Sequence, residues 1–298
     1  MFLVVIFLIK TFQSGSWKKE TYQSENKNNG LAYSDATFVD LVNKDTDGDG
    51  VMDWEEGLWS TDPTKKETTP GTPDKVAIEK IKTAQGVAVE KTDTTKDSAN
   101  QNDEKLTETE KFSRELFATV AAANQNGNTM DQPTIESLSD ALSAKIKNPV
   151  VRKVYLLTDI KIGASDDKQA ISNYAGALIN IQKIYTVNYT VLDVLQKFMV
   201  DENNVDVSVL SKLDPIINQT NQVMQAGIKM SVPPSLAVMH LNVINSLERL
   251  SENLSDIKLY GTDPILSLGA ISQYNQNANT LESDVGSLES TIQQKLGN

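Results

Sequence analysis

From Leu106 nearly to its end the chain repeats apolar residues three and four apart, the period of one face of an α-helix rather than of a strand. That spacing limits the fold to helices that bury one another. Thr107 and Glu110 stand at capping-box spacing, and Phe112, Leu116 and Val120 follow four apart. Gly127 and Asn128 break this helix; Asp131 and Pro133 open the next, whose face carries Ile135, Leu138, Leu142 and Ile146 until Asn148-Pro149 stops it. Longer stripes come next. Ile171, Tyr174, Leu178, Ile181, Tyr185, Leu192, Leu195 and Met199 make a coiled-coil-like seam interrupted at Asn188. Leu210, Leu213, Ile217 and Met224 mark a helical region from Val207 to Met230, reset near its start by Asp214-Pro215. After Pro233 and Pro234 the apolar line is Leu236, His240, Val243, Leu247, Leu250, Leu254 and Ile257; after Asp263-Pro264 it is Ile271, Tyr274, Ala278, Leu281, Val285, Leu288 and Ile292. Short connections make such helices antiparallel neighbours. The expected fold is therefore all-α: residues 105–298 form an antiparallel bundle of four long helices preceded by shorter ones, crossing at about 20°. Val154 to Ile162 alternates like a strand, but with no obvious partner it reads better as an extended connection packed on helices.

Composition removes several chemistries. The 298 residues contain no cysteine, which excludes disulfides, thiolate metal sites and cysteine nucleophiles, and only one histidine, His240. On its helix's apolar line, His240 reads as a packed side chain before a catalytic base. Forty acidic against 28 basic side chains give a net charge of −12, which repels phosphate backbones, so no nucleic-acid partner is expected.

Ahead of the helices the chain has a different character. Phe2 to Ile9 is an unbroken apolar run that would cover roughly 12 Å as a helix, against the roughly 30 Å of a bilayer core. No basic residue precedes it, as one would in a secretory signal. Residues 1–10 are read as the remnant of a membrane anchor or signal segment whose beginning lies upstream, the alternative being a buried strand or helical turn. Residues 11–33 are a polar linker. Residues 65–104 form a second one with a short helix: the stretch Thr61 to Asp74, with Pro63, Pro70 and Pro73, and the polar stretch Lys91 to Glu104 flank Val76, Ile78 and Ile81 of a helix begun by Thr72-Pro73. Together these tethers suggest a flexible stalk.

Between the linkers lies the motif with the sharpest chemistry, Asp45-Thr46-Asp47-Gly48-Asp49-Gly50-Val51-Met52-Asp53-Trp54-Glu55-Glu56. Calcium takes six to eight oxygens, and a twelve-residue loop supplies them from positions 1, 3, 5, 7, 9 and 12. Those positions are Asp45, Asp47, Asp49, Val51, Asp53 and Glu56. The first three aspartates offer side-chain oxygens, Val51 its backbone carbonyl, Asp53 a contact through water, and Glu56 both carboxylate oxygens. Gly50 occupies position 6, where the chain turns sharply. Five converging carboxylates repel one another unless a multivalent cation intervenes. A solvated acidic turn would need no glutamate at position 12.

Residues 34–64 resemble the single calcium loops of bacterial surface and secreted proteins, which are similar to EF-hands and to thrombospondin type 3 repeats. Besides the loop, Ser60-Thr61-Asp62-Pro63 looks like the Gly-Thr-Asp-Pro tail of those repeats, with Ser for Gly. Trp54 to Trp59 leave room for only one or two helical turns before Asp62-Pro63, and Thr68 to Lys75 contain no second Asp-x-Asp-x-Asp. The resemblance implies Ca2+ as the ligand. With the affinity of extracellular modules, about 10⁻⁴ to 10⁻³ M, millimolar calcium would stabilise the loop by roughly 0.4 to 1.4 kcal/mol.

The expected function is that of a calcium-binding, membrane-tethered extracytoplasmic protein at the cell surface, its helical domain structural or bound to a protein or cell-envelope partner. Two other classes remain open. One is a secreted or surface hydrolase with its active site in the bundle, although the chain has no Gly-x-Ser-x-Gly, His-Glu-x-x-His or phosphate-cradling glycine loop. The other is a soluble calcium-responsive regulator, which would need paired hands opening an apolar groove.

Overall fold

Side-chain caps set several helix starts in the computed structural model, which describes residues 40–84, 106–125, 132–147, 153–183, 186–201 and 204–297. The acidic loop leads into α1 (Asp53–Trp59), and α2 (Asp74–Ala84), α3 (Glu108–Gln125) and α4 (Gln132–Lys147) follow. After β1 (Lys161–Ile162) come α5 (Lys168–Gln182), α6 (Val191–Phe198), β2 (Met199–Asp201), β3 (Asn204–Val205), α7 (Leu213–Lys229), β4 (Ser231–Val232), α8 (Ala237–Ile257) and α9 (Pro264–Leu296). The chain is all-α in class, with only two-stranded fragments of sheet among the described residues. The apolar run 1–10, the linker 11–33, the polar stretch 91–104 and the helix breaks at Gly127 and Pro149 lie outside the described residues. No helix among the described residues is long and apolar enough to cross a membrane.

The chain divides into two units: one takes the acidic loop, α1 to α4 and residues 259–269, the other α5 to α8 and residues 270–297. In the loop-bearing unit, Leu41, Val42, Met52 and Trp54 share one core with Ala118 of α3, flanked by Leu58, Leu106, Phe117, Ala121 and Ala122. The face of α3 is rotated from the expected one: Ala118 is fully buried, while Leu116 is 37% exposed. A small side chain at the crossing lets the Trp54 indole approach the helix, and Arg114 lies over that ring at 5.8 Å.

In the other unit the seam expected to run from Ile171 to Met199 is two helices. α5 ends at Gln182, and α6 begins after Thr190, whose Oγ1 accepts from Asp193 N at 3.0 Å while Asp193 accepts from Thr190 N at 2.7 Å. Met199 then starts β2, which pairs antiparallel with β3. The alternating stretch 154–162 is mostly irregular, with a 3-10 turn at Leu157–Asp159. Its end does find a partner, since β1 pairs parallel with β4 in the register Lys161↔Ser231 and Ile162↔Val232. Ile160, Ile171, Tyr174, Val232, Leu236, Ala237, Leu288 and Ile292 form this unit's core, joining α5 to the start of α8 and the end of α9. α7 packs tightly on α8 at Gly227, where a Cβ would meet Ile244 Cδ1 at 2.8 Å.

Candidate metal centre

Short-range hydrogen bonds wind the acidic loop on itself. Asp45 accepts from Gly48 N at 2.7 Å and Gly50 N at 3.0 Å, Asp47 from Asp49 N at 3.0 Å, and Asp49 from Val51 N at 2.8 Å. Gly48 and Gly50 make the turns with φ of 72° and 92°, a region costly to residues bearing a Cβ. As a result one carboxylate oxygen from each of Asp45, Asp47 and Asp49 lies within 4.8 Å of the others, a group that could hold a metal ion.

Glu56 completes the picture from α1. It is fully buried, and neither of its carboxylate oxygens has a hydrogen-bond partner; Asp47 Oδ2 and Asp49 Oδ2 are likewise buried and unpartnered. Native interiors rarely leave such acceptors without donors. Burial, followed by the charges of Asp47, Asp49, Asp74 and Asp53, pushes the Glu56 carboxyl up to about 8. Burial also raises Asp49, with Asp47, Asp45 and Asp74 adding to it. The arrangement is electrostatically unfavourable as it stands, and a divalent cation among these oxygens would supply an attraction that opposes both the burial and the mutual repulsion.

The residues singled out by position thus separate into groups. Asp45, Asp47 and Asp49 converge, and Glu56 lies within the field of the latter two. Val51 is buried directly ahead of α1. Asp53, expected to reach the ion through water, also steadies the loop: its Oδ1 accepts from Thr46 N and its Oδ2 from Thr46 Oγ1, both at 2.7 Å, and Lys44 Nζ lies 3.3 Å from Oδ2. Ser60, where the resemblance expects glycine, takes a left-handed φ of 63° and ends the short α1.

Packing carries the loop onward into the helices. Lys82 of α2, half-buried beside the Trp59 ring at 5.3 Å, pairs with Glu55 at 2.8 Å and with Glu110 of α3 at 3.1 Å. Burial disfavours the Lys82 ammonium, but the two carboxylates outweigh it and raise its pKa. Sequence reading missed Lys82, and also Lys66 and the fully buried Asp74. A signal existed for Lys66: Lys66-Glu67-Thr68 repeats the residue types of Lys44-Asp45-Thr46.

Elsewhere, His240 is 2% exposed and both its nitrogens are engaged, Nδ1 with Tyr174 OH at 2.9 Å and Nε2 with Gly227 O at 3.2 Å. Comparison of the chain with protein families, with curated proteins and with solved structures gave no match.

Proposed function

We propose that the loop binds one calcium ion through Asp45, Asp47, Asp49, the Val51 carbonyl and Glu56, and that calcium fixes α1 against its helical neighbours. The observation that carries this reading is the Glu56 carboxylate, fully buried with neither oxygen partnered, next to unpartnered oxygens of Asp47 and Asp49. Calcium is favoured over magnesium because a two-oxygen glutamate and a backbone carbonyl suit its larger, irregular shell, whereas magnesium requires near-ideal octahedral geometry and retains its waters. Asp53 then orients the loop through Thr46. The decisive measurement is terbium luminescence sensitised by Trp54 and Trp59. Glu56→Gln and Asp45→Ala are expected to abolish the signal and its displacement by calcium; titrations unchanged in both variants would sink the ligand assignment.

Around that site the protein serves as a membrane-tethered, extracytoplasmic component whose helices have a structural or macromolecule-binding role. Support for the tether is the apolar run Phe2 to Ile9. Fractionation of cells expressing the chain with its native upstream region tests it, and a wholly soluble product would refute it. Crosslinking at the cell surface would reveal a protein or envelope partner.

A further inference from the structure

Asp74, the first residue of α2, is fully buried yet has no place in the ligand set. Its surroundings repeat a frame found in the cation loop. There, Lys44 O accepts from Asp53 N at 2.8 Å, and Thr46 donates its N–H and its hydroxyl to the two Asp53 oxygens at 2.7 Å each. Further on, Lys66 O accepts from Asp74 N at 3.2 Å, and Thr68 donates its N–H and its hydroxyl to the two Asp74 oxygens at 2.8 and 2.7 Å. The acidic residue between each Lys and Thr caps a left-handed glycine. Asp45 accepts from Gly50 N at 3.0 Å and Glu67 from Gly71 N at 2.9 Å, with φ of 92° and 80° at the two glycines. Each frame closes on an aspartate that opens a helix.

What the second frame lacks is ligands. Thr68, Thr69 and Pro70 fill the space between Glu67 and Gly71, and Ala77 stands three residues after Asp74, where Glu56 stands three after Asp53. The frames also touch: Lys66, whose carbonyl holds Asp74, donates its ammonium to Gly48 O in the cation loop at 3.0 Å.

We propose that residues 66–74 are a second copy of the cation loop that holds no ion, and that Asp74 is a positioning residue whose buried charge, linked to the loop through Lys66, strengthens ion binding. This rests on the calcium reading above. The link is geometric: Lys66 accepts from Asp74 N through its carbonyl and donates to Gly48 O through its ammonium. Thr68 fixes the carboxylate by giving a donor to each oxygen, as Thr46 does for Asp53.

Calorimetric titration of the full chain with Ca2+ and with Tb3+ tests the proposal. Wild type is expected to bind a single ion. Asp74→Asn should lower calcium affinity roughly tenfold and terbium affinity roughly thirtyfold, because Coulomb energy scales with the charge of the ion. Thr68→Ser should retain wild-type affinity and Thr68→Val should lose several-fold, and this pair carries the test if Asp74→Asn does not fold. Equal losses for the two ions would mean a merely structural role and overturn the assignment, as would wild-type affinity in both Asp74→Asn and Thr68→Val. A second ion in wild type, lost in Glu67→Gln, would overturn the ion-free copy while leaving the first site standing. A wild-type chain that takes up neither ion removes the calcium reading itself.

Discussion

His240 shows how packing can decide the chemistry of a side chain. With Gly227 O accepting at 3.2 Å, the proton belongs on Nε2, which leaves Nδ1 to accept from Tyr174 OH at 2.9 Å. Burial, partly opposed by the Gly227 carbonyl, pushes the imidazole down to about 4. An unfolded histidine titrates near 6.5, so above that pH the residue contributes no pH dependence. Between about 6.5 and 4 the unfolded chain takes up a proton that the folded one refuses, and stability falls by roughly 3 kcal/mol in total. Urea unfolding of wild type and His240→Phe across pH 4 to 7 should therefore differ in slope, with the variant flatter. Parallel curves would mean that the imidazole is charged inside the fold. Both partners of His240 come from other helices, so this role is settled by packing and not by its place on an apolar line.

Among the elements, Asp263 joins two helix starts. It is buried, its Oδ2 accepts from Glu108 N at 2.8 Å and its Oδ1 from Thr109 N at 3.0 Å and Thr109 Oγ1 at 2.7 Å, and Leu266 N approaches Oδ1 at 3.3 Å. Asp263→Ala would leave donors at the starts of α3 and α9 without acceptors, at a cost of roughly 2 to 4 kcal/mol. Denaturant unfolding followed by Trp54 fluorescence would register the loss, and a cost below about 0.5 kcal/mol would show that water replaces the carboxylate. Half of this device is legible in sequence. Asp263-Pro264 reads as a helix start, and Thr107 with Glu110 reads as a capping box, realised by Thr107 N donating to Glu110 Oε2 at 2.9 Å and Glu110 N donating to Thr107 Oγ1 at 3.1 Å. That one serves the other is tertiary information. The break between α5 and α6 escapes for a different reason: Leu192 and Leu195 keep the three-residue spacing of the seam, so periodicity carries across residues 186–190, whose backbone is not helical. The candidate metal centre is the most legible part, because the places of Asp45, Asp47, Asp49 and Glu56 follow from local spacing. Asp74 is hidden because its frame is one residue shorter than the first between Thr and Asp, and a strict pattern search passes over it.

At the scale of the molecule, the loop belongs to one unit and its effects should remain largely there. Ion binding at 100 times the dissociation constant contributes about 2.7 kcal/mol. Glu56 shares α1 with Glu55, tied through Lys82 to Glu110, and with Trp54, packed in one core with Ala118. Calcium should therefore slow hydrogen exchange in residues 44–59 and through α2 and α3, with α7 and α8 changing little. Uniform protection along the chain would contradict a local action of the ion, and protection confined to the loop would separate it from α3.

The bonds from Glu108 and Thr109 to Asp263 also impose an order on biosynthesis. Glu108 and Asp263 are 155 residues apart, about ten to thirty seconds of ribosome travel. The beginning of α3 therefore waits for a carboxylate translated after α5 to α8, and the nascent chain cannot finish the earlier-made unit first.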